Sequence, residues 1–190
     1  MRQKSYRTAL GGILSALSIT FMFLGGVFPF AEYVGPAMAS ICVLIFKEEF
    51  GAKAALLMYI AVSLLALLLS PSLESSLLFM AFMGWYPISK NIIETKTKGI
   101  LSLVIKLLLV NISVLSLYYV LLNVLKLPSL QEDLAGGPWL TAVLIILYNI
   151  TFLLFDRLLT VISYYYKNVF RNLKKQFSLL IKKRNFSNGN

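Results

Sequence analysis

Long apolar segments separated by short charged loops dominate this sequence. The first runs over residues 10–28, and the last begins at 139 and ends near 166. A helix needs about 20 consecutive apolar residues to cross the hydrocarbon core of a bilayer. With 58% hydrophobic and 14% charged residues among 190, a soluble domain would be too small to bury so much apolar surface. The sequence therefore predicts a polytopic helical membrane protein.

Six helices are predicted from these segments and from the turn residues between them. They cover residues 8–26, 34–46, 51–69, 73–93, 99–125 and 139–166. The second is short for a full crossing, so we expect it to sit shallow or to use residues of the preceding loop. Gly84 and Pro87 predict a kink in the fourth. The predicted fold class is an all-α membrane protein, a bundle of six transmembrane helices.

The chain divides into a transmembrane domain, residues 1–166, and a basic cytoplasmic tail, residues 167–190. The first apolar run is too long for the apolar region of a signal peptide and lacks a clear cleavage site, so we expect it to be retained. The tail alternates basic and apolar residues at helical spacing, which predicts an amphipathic helix on anionic membrane lipid. Nucleic acid is not an expected partner, because Lys and Arg stand in loops and tails, where they set membrane orientation.

The basic residues predict which side of the membrane each loop faces. With six crossings and a cytoplasmic N-terminus, Lys126 is the only basic residue in the outer loops. The predicted inner regions hold the C-terminal cluster and the basic residues Arg2, Lys4, Arg7, Lys47, Lys53, Lys90, Lys96 and Lys98. Both termini are therefore predicted to be cytoplasmic, and the protein to be a multi-pass protein of the plasma membrane.

Composition argues against several classes of site. The chain has no histidine and one cysteine, Cys42, so neither a metal site nor a cofactor of the usual kind is expected. The sequence contains no glycine-rich phosphate loop ending in Lys-Ser/Thr, no GxSxG and no HExxH motif. We therefore expect no enzyme activity, and lipid chemistry by Asp156 stays open as the weakest alternative.

A stripe of small residues lies along the first helix. Ala9, Gly12 and Ala16 share one face, with Ser15 adjacent. Small residues at this spacing let another helix approach closely in lipid. That helix belongs either to the same chain or to another membrane subunit.

Aromatic and acidic residues collect in the predicted outer loops. Glu32 and Tyr33 follow the first helix, Glu74 follows the third, and Trp139 opens the sixth. Such a set suits a small-molecule pocket, but it equally suits an ordinary interfacial belt. Asn149 lies about three turns into the sixth helix, where it is either a ligand-binding residue or an interhelical hydrogen-bonding residue.

Asp156 stands in the same apolar helix, nearer its predicted inner end. An ionised carboxylate in that environment needs a partner. Lys106 in the fifth helix and Lys90 at the end of the fourth are expected at that depth. We predict a structural ion pair, and a proton or ion relay is the alternative.

Three strings of the sequence carry a resemblance to a known family. Residues 7–18 read RTALGGILSALS, residues 84–90 read GWYPISK, and residues 155–160 read FDRLLT. Together with the chain length, the six apolar segments and the small-residue face, they resemble the substrate-binding S components of energy-coupling factor (ECF) transporters, in particular members from Gram-positive bacteria.

The resemblance implies a mechanism. An S component binds a vitamin-like micronutrient from outside and topples in the membrane, and its first helix docks to a coupling transmembrane subunit that works with two ATPase subunits. The docking residues would be Ala9, Gly12, Ser15 and Ala16. The implied pocket, in the outer half of the bundle, comprises Glu32, Tyr33, Glu74, Phe79, Met83, Trp139 and Asn149. The second hypothesis is a structural or assembly membrane protein that uses the same face of helix 1 and has no pocket.

Overall fold

The computed structural model describes residues 2–28, 31–97, 99–123 and 138–170, and within these ranges the chain is helical with no strand. The α-helices are α1 (Arg2–Val27), α2 (Val34–Phe50), α3 (Ala52–Leu69), α4 (Leu73–Leu78), α5 (Tyr86–Lys96), α6 (Ile100–Asn123) and α7 (Pro138–Tyr165). Two π-helical turns, Phe79–Met83 and Tyr166–Phe170, continue α4 and α7. The all-α prediction is confirmed for this part of the chain.

Four helical segments have the length and apolar composition to cross a bilayer: Lys4–Val27, Ala52–Leu69, Ile100–Asn123 and Ile145–Val169. Much of their apolar surface is exposed, as at Leu68 and Ile112. In water that exposure would be costly, whereas lipid tails cover such side chains at no cost. The described part of the chain is thus compatible with a helical membrane protein, and the number of crossings stays a prediction.

The α1–α2 hairpin is packed backbone against backbone at its closed end. A Cβ added to Gly25 would lie 2.9 Å from Cα of Gly35, and one added to Gly35 would lie 2.8 Å from the carbonyl oxygen of Phe21. Any larger side chain would force the two helices apart. Glycine therefore permits the close approach that holds α1 on α2.

Helix α2 differs from its predicted form. It runs four residues past the predicted end at 46 and stops where Gly51 adopts a φ of +83°, a conformation that glycine accepts without strain. Most of its side chains are buried between α1, α3 and α5. The helix is therefore a central packing element, and its 17 residues are near the lower length limit for a crossing.

The predicted fourth helix, residues 73–93, is two helices joined by a widened turn. In the π-helical stretch the amide of Gly84 donates to the carbonyl of Phe79 at 2.8 Å, an i to i+5 hydrogen bond. Tyr59 donates its hydroxyl to the carbonyl oxygen of Met80 at 2.6 Å. Pro87 falls in the first turn of α5, where its missing amide costs little. The predicted kink is thus a break, centred on Gly84 and Trp85.

Other helix boundaries also differ from the predicted ones. Helix α1 begins at Arg2 and α7 at Pro138, each ahead of the predicted start. Most of the predicted loop, residues 126–137, and most of the predicted basic tail, residues 171–190, lie outside the described residues.

Candidate functional site: a buried ionic cluster and the cleft beside it

Three helices meet at the carboxylate of Asp156 on α7. Lys90 of α5 approaches Oδ1 with its Nζ at 2.5 Å, and Lys106 of α6 approaches Oδ2 at 3.1 Å. Both ammonium groups are almost fully buried, and the carboxylate is largely so. The three residues that the sequence suggested as an ion pair therefore lie in direct contact, and they join α5, α6 and α7.

Neutral hydroxyls and one further acid complete this ionic cluster. Tyr86, fully buried, donates its hydroxyl to Oδ1 of Asp156 at 2.5 Å. Lys90 also contacts the hydroxyl of Thr160 at 2.7 Å. Glu94, 40% exposed, bonds Lys106 at 2.6 Å. Two ammonium groups thus face two carboxylates, so the ionic cluster is electrically balanced.

The geometry of the ionic cluster favours a fixed structure. Both carboxylate oxygens of Asp156 have cationic partners. A buried charge is tolerated only where partners and hydrogen bonds compensate for the lost solvation, and here every charge has them. Such a cluster can fix the relative positions of three helices in a medium where apolar contacts alone specify little.

A cleft of about 430 Å³ opens beside the ionic cluster, between the α5–α6 connection and α7. It is lined by Glu94, Thr97, Gly99, Ser102, Leu103, Lys106, Asp156 and Arg157. The cleft therefore has one wall made by the first turns of α6 and another that contains charged side chains.

Glu32, the first residue of the predicted outer pocket, forms hydrogen bonds within the protein. Its carboxylate accepts a hydrogen bond from the hydroxyl of Ser72, and its backbone oxygen accepts one from Ser75 at 2.7 Å. Glu32 therefore ties the α1–α2 connection to the start of α4. Glu74 lies in the same first turn of α4, and Tyr33 is exposed at the start of α2.

The other predicted pocket residues lie in different environments. Phe79 and Met83 are buried in the hydrophobic core. Trp139 is 71% exposed. Asn149 exchanges side-chain hydrogen bonds with Asn111 of α6, at 2.9 and 3.3 Å, which is the interhelical alternative considered for it. The seven residues are thus divided among the core, a helix contact and the surface.

The small-residue face of α1 is uncovered in the described part of the chain. Ala9, Gly12 and Ala16 are exposed, and Ser15 is half-buried. A Cβ added to Gly12 would meet no atom within 4 Å. Helices α2 and α3 pack on the opposite side of α1, so the stripe faces outward.

Several residues of the ionic cluster were not anticipated, although the sequence carries a signal for them. Tyr86, Lys90 and Glu94 follow at intervals of four and so share one face of α5, and Asp156 and Thr160 do the same on α7. Reading both helices for a shared polar face would have found them. Within the described residues, no group of three or more Cys, Asp or Glu side chains is arranged to hold a metal ion.

Comparisons of this chain with protein-family profiles, with curated proteins and with solved structures found no match.

Proposed function

We propose that the chain is the substrate-capture subunit of an ECF-type importer in the cytoplasmic membrane. It would bind a small, vitamin-like solute from outside and dock through α1 to a coupling transmembrane subunit, with two ATPase subunits supplying the energy. It would perform no chemistry itself. The observation that carries the proposal is the outward-facing stripe of Ala9, Gly12 and Ala16 on α1.

An uncovered stripe of small residues is informative in a membrane. Lipid tails give no advantage to Ala or Gly over Leu at a lipid-facing position, whereas a second helix approaches closely only where side chains are small. On α1 the stripe is flanked by exposed large residues, Ile13 and Leu17, which would frame an incoming helix. The stripe therefore suits a partner helix better than it suits lipid.

The proposed topology has six crossings with both termini in the cytoplasm. The four long apolar segments would supply four of them. Helix α2 and the broken unit of α4 and α5, residues 73–96, would supply the other two, since each has at least the length that a short crossing requires. The clustering of Lys and Arg at one side under this topology is its support.

Co-purification tests the docking step. The full chain, carrying an affinity tag, is isolated in mild detergent from membranes of its native host, and Gly12→Leu and Ala16→Leu variants are compared with the wild type. We expect the wild type to bring down a membrane subunit and two ATPases, and both variants to lose them. Ala61→Leu, the same kind of change at an exposed position of α3, is the matched control and should retain them.

The second candidate is a structural or assembly subunit that uses the same face of α1. It is favoured by the burial of Phe79 and Met83 and by the pairing of Asn149 with Asn111, because these side chains are engaged within the protein. Native mass spectrometry of the same preparation separates the two hypotheses. A retained small molecule supports capture, whereas a partner without ATPases and without any small molecule supports the structural role.

A further inference from the structure

We propose that the cleft between the start of α6 and the middle of α7 is a binding site for a phosphate-bearing anion, with the head group of an anionic phospholipid as its expected source. The cleft is separate from the proposed docking face on α1 and from the proposed outer pocket. Its chemistry is therefore independent of the proposed function.

The buried hydroxyl of Ser102 is the first observation. Ser102 lines the cleft and is 8% exposed, yet its Oγ has no hydrogen-bonding partner among the described residues. Buried polar groups are nearly always hydrogen-bonded, and an unpaired one carries a desolvation cost. Rotation about the Cα–Cβ bond of Ser102 would turn this buried hydroxyl toward the cleft, where a ligand oxygen would accept the hydrogen bond that it lacks.

The helix terminus is the second observation. Ser102 lies in the first turn of α6, a helix of 24 residues that begins directly after Gly99. The first turn of a helix has amide groups without intrahelical acceptors and carries the positive end of the helix dipole. Both features favour an anion, and phosphate groups are common ligands at such positions.

The balance of side-chain charge is the third observation. The two acids that line the cleft, Glu94 and Asp156, are already held by Lys90 and Lys106. Arg157 is exposed at the opposite wall, and within the described residues no acid lies within ion-pair distance of it. The cleft and its ionic cluster thus carry an excess of one positive charge, on a guanidinium whose planar donors match phosphate oxygens.

The position of the cleft indicates the source of the anion. The end of a membrane-spanning helix lies at the level of the lipid head groups, and α6 has the length and apolar composition of such a helix. Lys106, less than two turns into α6, contacts Asp156, so this part of α7 lies near the same end. Leu103 lines the cleft and Ile100 is the first residue of the same helix, and both are exposed apolar side chains that suit the acyl chains of a lipid.

Lipid binding to the full chain tests the proposal. The purified protein is titrated with phosphatidylglycerol, with phosphatidylcholine and with inorganic phosphate, and bound ligands are counted by native mass spectrometry. We expect phosphatidylglycerol to bind more tightly than phosphatidylcholine. Arg157→Gln should weaken phosphatidylglycerol binding by roughly tenfold or more, because it removes a charged donor to the phosphate. Ser102→Ala should weaken it by about two- to tenfold, because it removes one neutral hydrogen-bond donor to the same group.

Controls separate the possible results. Arg7→Gln removes the same charge from an exposed position on α1 and should bind like the wild type. Arg157→Lys keeps the charge and should bind better than Arg157→Gln. Tight binding of inorganic phosphate, sensitive to the same variants, would support the anion site and assign it to a soluble ligand. Equal binding of phosphatidylglycerol by the wild type and Arg157→Gln, with both proteins folded, would overturn the proposal.

Discussion

At the scale of single residues, Asp156 is the most constrained side chain in the described part of the chain. Its carboxylate accepts hydrogen bonds from Lys90 and Tyr86 of α5 and from Lys106 of α6. The two lysines were predictable, because a carboxylate in an apolar helix requires a cation and few cations stand at that depth. Tyr86 was not, because a neutral hydroxyl imposes no such requirement, and only the folded helices decide which hydroxyl comes within reach.

Removing the charge of Asp156 should destabilise the protein strongly. Among the described residues, Asp156→Asn leaves Lys90 and Lys106 buried with Glu94 as their only acidic partner, and breaking one side of a buried ion pair typically costs about 3–5 kcal/mol. Tyr86→Phe removes one hydrogen bond to the same carboxylate and should cost roughly 1.5–3 kcal/mol. Thermal unfolding in one detergent would rank the two variants, and an Asp156→Asn protein as stable as the wild type would contradict the structural interpretation of the ionic cluster.

At the scale of secondary structure, the break between α4 and α5 depends on contacts that the local sequence does not contain. Gly84 and Pro87 predicted an irregularity because both weaken a helix. The π-helical widening ahead of Gly84 was not predicted, because its hydrogen-bonding partner lies on another helix. Tyr59 of α3 donates its hydroxyl to the carbonyl of Met80 inside the widened stretch. The position of a break can thus be inferred from one segment, whereas its geometry requires the neighbouring helix.

Alanine at two glycines, one in α1 and one at the break between α4 and α5, should have opposite effects. A Cβ on Gly84 would lie 2.5 Å from the ring of Tyr59, so Gly84→Ala should cost about 1–3 kcal/mol through overpacking. A Cβ on Gly12 would meet nothing within 4 Å, so Gly12→Ala should stabilise α1 by up to about 1 kcal/mol. Unfolding midpoints measured side by side test this contrast, which would fail if both variants moved in the same direction.

At the scale of the whole molecule, the apolar segments predicted the helices closely, whereas the loop residues supplied only candidates for an outer pocket, which stays a prediction. Glu32, Trp139 and Asn149 were grouped because their positions along the chain suggested one side of the membrane. Lying on the same side of the membrane does not determine how far apart the three residues are. In the fold, Glu32 bonds Ser72 across a helix connection, and Asn149 pairs with Asn111. The distribution of Lys and Arg between loops and the hydropathy pattern are properties of whole segments. They therefore constrain the membrane topology far more closely than they constrain which residues form a binding site.

The proposed topology makes a direct prediction about accessibility. Lys4 and Leu73 are separated by α1, α2 and α3, so they lie on opposite sides of the membrane only if α2 crosses it. Lys96 is the last residue of α5 and should return to the side of Lys4. Single cysteines at these three positions, in a Cys42→Ala background, are treated with a membrane-impermeant maleimide in intact cells and after permeabilisation.

We expect Leu73→Cys to react in intact cells, and Lys4→Cys and Lys96→Cys to react only after permeabilisation. The orientation follows from the positive-inside rule, since Lys and Arg concentrate in the proposed inner regions. Cys42 is buried, so the wild-type chain should give little background and serves as the labelling control. Reaction of positions 4 and 73 from the same side would mean that α2 does not cross, because α1 and α3 then supply the only crossings between them. That result would reduce the number of crossings and would remove the topology on which the importer proposal depends.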